Sequence, residues 1–255
     1  MSKETILTWS EWETQLTQLH QVNDLAAVDV GFGNLLVASL RGGVAISHKR
    51  HDAIRAFYKR PLKDWVKLTN QQDPKAFLRD LMADCKTSET LGKAATNPIE
   101  MPIVFFTRMP GSAVTEGDIY APVRRLAEIG DMDSGKPTGR VNLHHESLSY
   151  IVGVCAWDMP TLDFMTRLLS ARFRHHTTGF RFEAELGDLK FPASADVMTK
   201  TLSWDPASPP AETDRLLCLT TAIEVIAEAH ELEGLESKEI HYRLMEPKPM
   251  FEVWP

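Results

Sequence analysis

Residues 147–186 read SLSYIVGVCAWDMPTLDFMTRLLSARFRHHTTGFRFEAEL, and this stretch decides the fold. Leu148–Ala156 is a nearly continuous apolar run of strongly β-forming side chains. Asp158-Met159-Pro160 halts it and starts a helix, because proline is well tolerated in a first helical turn. Leu162, Met165, Leu169 and Phe173 then fall at i, i+3, i+7 and i+11, one amphipathic stripe. Arg167, Arg172, Arg174 and His175 come late in that helix, where cations suit the negative helix end. Thr177-Thr178-Gly179 turns the chain, and Phe180–Leu186 alternates apolar and polar residues as a half-buried strand does. The expectation is strand, helix, strand within an α+β domain, its mixed or antiparallel sheet crossed by a helix.

Outward toward the C-terminus, Val197–Trp204 reads as a second β segment that ends at Asp205-Pro206. Arg215–His230 fits two periods: Leu216, Leu219, Ile223 and Ile226 make a helix stripe, while Leu217, Leu219, Thr221, Ile223, Val225 and Ala227 make a strand face. Glu239–Leu244 alternates as a last short strand before a proline-rich tail. Toward the N-terminus, Gly130–Gly139 reads as a polar loop, Ile119–Ile129 as a short helix, and Met101–Thr107 as a β run closed by Pro110-Gly111. Lys86–Pro98 (KTSETLGKAATNP) is small, polar and punctuated by glycine and proline, the best domain boundary in the chain. The division expected is a mainly helical N-terminal region, 1–95, and an α+β domain, 96–255. In the first region Ser10–His20 reads as a capped helix with Trp9 or Trp12, Leu16 and Leu19 on one face. Asp24–Leu40 is apolar with a Gly31-Phe32-Gly33 interruption, Ala53–Leu68 looks helical but is cut by Pro61, and Pro74–Met82 is another short helix.

Composition excludes some classes of function. The 255 residues are 43% hydrophobic and 25% charged, a globular balance. A net charge of −7 argues against broad, non-specific wrapping of nucleic acid. Cys85, Cys155 and Cys218 form no C-x-x-C pair, so they read as reduced thiols acting as small hydrophobes. No apolar run approaches the roughly 20 residues of a membrane helix, and the polar start of the sequence does not read as a signal peptide, so none is expected. A soluble, intracellular product is expected.

The motifs that invite chemistry each fail a physical requirement. Gly130 to Lys136 has G-x-x-x-x-G-K spacing, but Pro137 stands where a hydroxyl is needed for Mg²⁺ and two aspartates would repel phosphate. Gly31-Phe32-Gly33 lacks the third glycine of a dinucleotide loop, since position 36 is Leu. Asp131-Met132-Asp133-Ser134-Gly135 begins like a calcium loop, but Asn142 occupies the position of the bidentate glutamate. Adjacent histidines on a strand point to opposite faces, so neither His144-His145 nor His175-His176 chelates alone. His48-Lys49-Arg50-His51 reads as a solvated basic turn, and Phe180 and Phe182 as core aromatics rather than an RNA platform. No catalytic, cofactor-binding or metal-binding residue is assigned. A metal-dependent enzyme using the histidines and acids of Asp131–Glu146 is the alternative kept open.

Leu148–Trp157, Thr161–Phe173, Phe180–Leu186, Val197–Trp204 and Arg215–Ala227, in that order, resemble the tail-terminator (tail-completion, sheath-stabilising) proteins of contractile-tailed bacteriophages. The likeness spans roughly residues 98–230. In place of the acidic Glu-Gln often found in that family, the helix has Leu169-Ser170-Ala171-Arg172-Phe173. The resemblance implies that Arg215–Ala227 is a long final strand, and that the chain is a structural virion protein rather than an enzyme. It implies a hexameric ring of the chain with itself, at the end of the tail tube, with tail sheath and neck or connector proteins as partners. DNA would pass through the lumen without sequence-specific binding, no membrane would be involved, and assembly would take place in the host cytoplasm. A neck or baseplate component and a small adaptor domain are neighbouring readings.

Overall fold

The computed structural model describes residues 7–41, 43, 52–71, 73, 76, 77, 79, 101–114, 124–130, 136–175, 179–187, 189–207 and 217–244. The candidate boundary at 86–98 lies outside them. Ten strands are described: β1 (Leu7–Val22), β2 (Val66–Leu68), β3 (Ile103–Arg108), β4 (Ala113–Val114), β5 (Arg124–Gly130), β6 (Pro137–Ala156), β7 (Gly179–Leu186), β8 (Leu189–Val197), β9 (Asp205–Pro206) and β10 (Leu217–Leu244). The α-helices whose bounds are described are α1 (Ala26–Leu40), α2 (Asp52–Lys59) and α3 (Met159–His175). The chain forms two compact units, one of residues 23–122 and 144–229, the other of 1–22, 123–143 and 230–255. The long strands β6 and β10 contribute to both.

The larger unit is a sheet in the order β2-β3-β6-β10-β8-β7, with β4 on β6 and β9 on β10. Only β2 against β3 is parallel among the registered pairs, so the sheet is mixed. One face carries α1 and α3. In α3 the stripe of Leu162, Met165, Leu169 and Phe173 is buried, and Asp158 caps the helix, one carboxylate oxygen accepting the Thr161 N–H at 2.8 Å. Val28, Phe32, Leu36 and Leu40 of α1 recur every fourth residue, are all fully buried, and join the same core. Opposite them lie Val104 and Phe106 of β3, Tyr150 and Val152 of β6, and Ile223 and Val225 of β10. The other face holds a second cluster around Phe105, Phe77, Ile103, Cys155 and Cys218.

Gly153 shows why an apolar strand carries a glycine. Phe105 is its cross-strand partner, and a Cβ on Gly153 would lie 2.1 Å from the Phe105 ring. Absence of a side chain gives the ring its seat, where it also stacks on Phe77 at 4.4 Å between centroids.

In the smaller unit β1 runs antiparallel to the distal part of β10, from Leu7 opposite Leu244 to Val22 opposite Glu231. β5 pairs antiparallel with the start of β6, with two register shifts. Arg140 Nε donates to Glu233 at 2.9 Å, Arg140 Nη2 contacts the same oxygen, and Asn142 Nδ2 donates to it at 2.7 Å.

Several sequence expectations are corrected. A mainly helical N-terminal region is not seen: the described chain opens with β1, and sheet dominates the fold. The expected helix Ser10–His20 is part of β1. Two members of its apparent stripe, Leu16 and Leu19, are 58% and 60% exposed. Backbone pairing with β10 sets its conformation instead, helped by Thr8, Thr14 and Thr17. The expected helix near Ile119–Ile129 is strand from Arg124 onward, because the opening of β6 offers it a partner. Val197–Trp204 is displaced: β8 covers Leu189–Val197, with Ala193, Ala195 and Val197 facing inward. Arg215–His230 resolves as strand from Leu217.

Candidate functional site

The histidines and acids between 131 and 146 were the residues most suggestive of chemistry. His144 and Glu146 alternate on β6, and two-residue periodicity puts them on the same face. His144 Nε2 meets Glu146 Oε1 at 3.0 Å, both residues being buried. His145 points to the other face and is half-buried. His175, at the end of α3, is exposed. Asp131, Asp133, His48, His51 and His176 lie outside the described residues, as does most of the G-x-x-x-x-G-K turn. Among the described residues no three His, Cys, Asp or Glu side chains come together in a metal-holding group.

Gly31 and Gly33 lie in the interior of α1 rather than in a phosphate loop. A Cβ on Gly31 would come 2.8 Å from the Phe180 ring, and one on Gly33 would come 3.2 Å from the Phe106 ring. The two glycines let α1 settle on the aromatic side chains of β7 and β3, at the helix-propensity cost that glycine carries.

A polar clamp fixes the same helix. Asp29 Oδ1 accepts from the Tyr150 hydroxyl at 2.7 Å and from Arg108 Nε at 2.9 Å. Tyr150 is fully buried and stacks on Phe32 at 4.1 Å between centroids. Burial first, then the adjacent Asp29 carboxylate, hold the Tyr150 hydroxyl well above its ordinary pKa, with Arg108 opposing. Tyr150 therefore acts as a fixed proton donor to Asp29. In the smaller unit Glu233 shifts the other way: its hydrogen bonds from Arg140 and then Asn142 hold its carboxyl below the usual value, against burial.

So positioned, α1 and β7 frame a groove of about 380 Å³. Asp24, Ala27, Val30 and Asn34 line it from the helix side, and Arg181 and Glu183 from the strand. Val30 is 63% exposed there, on a helix otherwise anchored by fully buried residues. β7 ends the sheet order, and among the described residues it pairs with β8 alone. Phe180, Phe182, Ala184 and Leu186 turn inward, whereas Arg181, Glu183 and Glu185 are exposed. Lys190 of β8 bridges Glu183 at 3.0 Å and Glu185 at 2.8 Å. Gly187, in the left-handed region at φ +60°, makes the tight connection from β7 to β8. No model of a known protein family matches the chain, and no curated protein matches it.

Phe180–Leu186 reads from the sequence as a strand and as a candidate pairing edge, and β7 stands at the end of the sheet order. The groove depends on α1, whose seat on β7 is set by Gly31, and glycine in an apolar run is an ambiguous signal. Arg215–Ala227 is the other candidate pairing edge in the sequence, and its described part, from Leu217, is interior because β10 lies between β6 and β8.

Proposed function

We propose that the chain is a self-associating structural subunit of a contractile phage tail, a ring at the end of the tube and sheath that joins them to the neck. One observation carries the reading: β7 closes the sheet with an edge that has no strand partner among the described residues, beside a groove walled by α1. An open edge offers a row of backbone donors and acceptors to another chain. A helix beside such an edge supplies side-chain contacts that select which strand adds there.

The charges on the edge argue for a selected partner. Arg181, Glu183 and Glu185 alternate along the exposed face and blunt indiscriminate pairing. A second copy that presents complementary charge pairs there, and a copy that presents like charge is rejected. Contact between unlike surfaces repeats from copy to copy and closes into a ring where the rotation allows. A net charge of −7 is compatible with a lumen along which DNA slides without sticking.

Sedimentation of the wild type beside Arg181→Glu tests the role of the edge. Arg181 is exposed, so the variant keeps the fold and its melting temperature. Its self-association should weaken by roughly tenfold or more through like-charge contact. Equal assembly of the two proteins argues that copies do not meet through β7.

A further inference from the structure

Cys155 and Cys218 sit on neighbouring strands, β6 and β10, with their sulfurs 3.3 Å apart and both side chains fully buried. A disulfide bond is about 2.05 Å long, so closing one needs each sulfur to move well under an ångström. The backbone on both sides is already held in the ladder. Cys155 pairs with Ile103 of β3, and the Cys218 carbonyl accepts the Ala207 N–H at 2.9 Å. Phe105, Ile103 and Phe77 pack around the pair.

We infer that Cys155 and Cys218 form a latent cross-strand disulfide, a staple between β6 and β10 that closes on oxidation by a small peroxide. The chemistry is a two-electron oxidation. One thiol reacts with hydrogen peroxide to give a sulfenic acid and water. The neighbouring sulfur displaces that hydroxyl as a second water, forming the S–S bond. Two thiols and one peroxide thus give one disulfide and two waters. Contact with the Cys218 thiol and then burial push the Cys155 thiol above its ordinary pKa. Little thiolate is present at neutral pH, so closure is slow, as befits a lock rather than a rapid sensor.

The consequence follows from topology. The bridge joins residues 63 apart and encloses α3, β7, β8 and β9 in one covalent loop. Chain-entropy arguments make such a closure strongly stabilising to the folded sheet. The inference is independent of the assembly reading, because it concerns two core side chains and not the edge.

The test uses the full chain carrying Cys85→Ser, which leaves this pair as its only cysteines. The protein is incubated with hydrogen peroxide for a day, unfolded in acid, alkylated with N-ethylmaleimide and weighed. The expected result, read on the cysteine peptides because the ten methionines also take up oxygen, is a peptide linking Cys155 to Cys218 two hydrogen atoms lighter than its parts and without alkylation. The melting temperature should rise by roughly 5–15 °C and fall back on reduction. Cys218→Ser in the same background should show no such rise. If that variant does not fold, the linked peptide from the parent protein decides. Two thiols that both remain alkylatable, or that gain oxygen without joining, overturn the inference.

Discussion

Replacing Asp29 by alanine removes the acceptor shared by Tyr150 and Arg108. Tyr150 is fully buried, so its hydroxyl is left without that acceptor where water does not reach, a loss of about 1–3 kcal/mol. Arg108 is 28% exposed and recovers part of its hydration, so its lost ion pair adds only about 1 kcal/mol. Alanine's better helix propensity returns about 0.5 kcal/mol. The net expectation is a destabilisation of about 1.5–3.5 kcal/mol. Tyr150→Phe keeps the aromatic stack on Phe32 and leaves Asp29 bonded to Arg108, so it costs about 1.5 kcal/mol. Once the hydroxyl is gone, losing Asp29 no longer strands it. The double variant should therefore be no less stable than Asp29→Ala alone, a coupling of about 1.5 kcal/mol. Equilibrium urea unfolding of the four proteins measures this, provided the slopes agree. Additive effects, within about 0.5 kcal/mol, would refute the clamp as described.

Two further changes probe other parts of the fold. Gly153→Val places side-chain atoms where the buried Phe105 ring sits, and overpacking of this kind costs about 1–3 kcal/mol; an unchanged melting temperature would show that the ring has room to move. Glu233 has a depressed folded-state pKa, so its stabilising contribution is present above the unfolded value of about 4.3 and lost as pH falls through the lower folded value. Glu233→Gln should thus be less stable than wild type at pH 7 and converge with it in strong acid, and a constant gap in pH-dependent melts would contradict that link.

What the sequence revealed follows from which physical signal was local. The stripe of Leu162, Met165, Leu169 and Phe173 and the alternation of Phe180–Leu186 are records of burial on one face, and both elements stand where that pattern puts them. β1 misled because its side chains at Leu16 and Leu19 are mostly exposed, so their spacing reports no buried face. Its conformation comes from residues more than two hundred positions away in β10. The same is true of Arg124–Gly130, whose helical spacing gives way to pairing with β6. In β8, Pro192 and a run of small residues hid a strand held by β7 on one side and β10 on the other. The groove was illegible for a related reason. It depends on the absence of atoms at Gly31 and on the sheet order that leaves β7 last, and neither is written in any local period.

Assembly through the open edge of β7 is a matter of copy number, which can be counted. Mass photometry of the purified wild-type chain, alone and with isolated tail tubes, predicts a discrete closed oligomer that caps the tube ends, six copies being the expectation that the family resemblance carries. A chain that stays monomeric under both conditions would contradict the account.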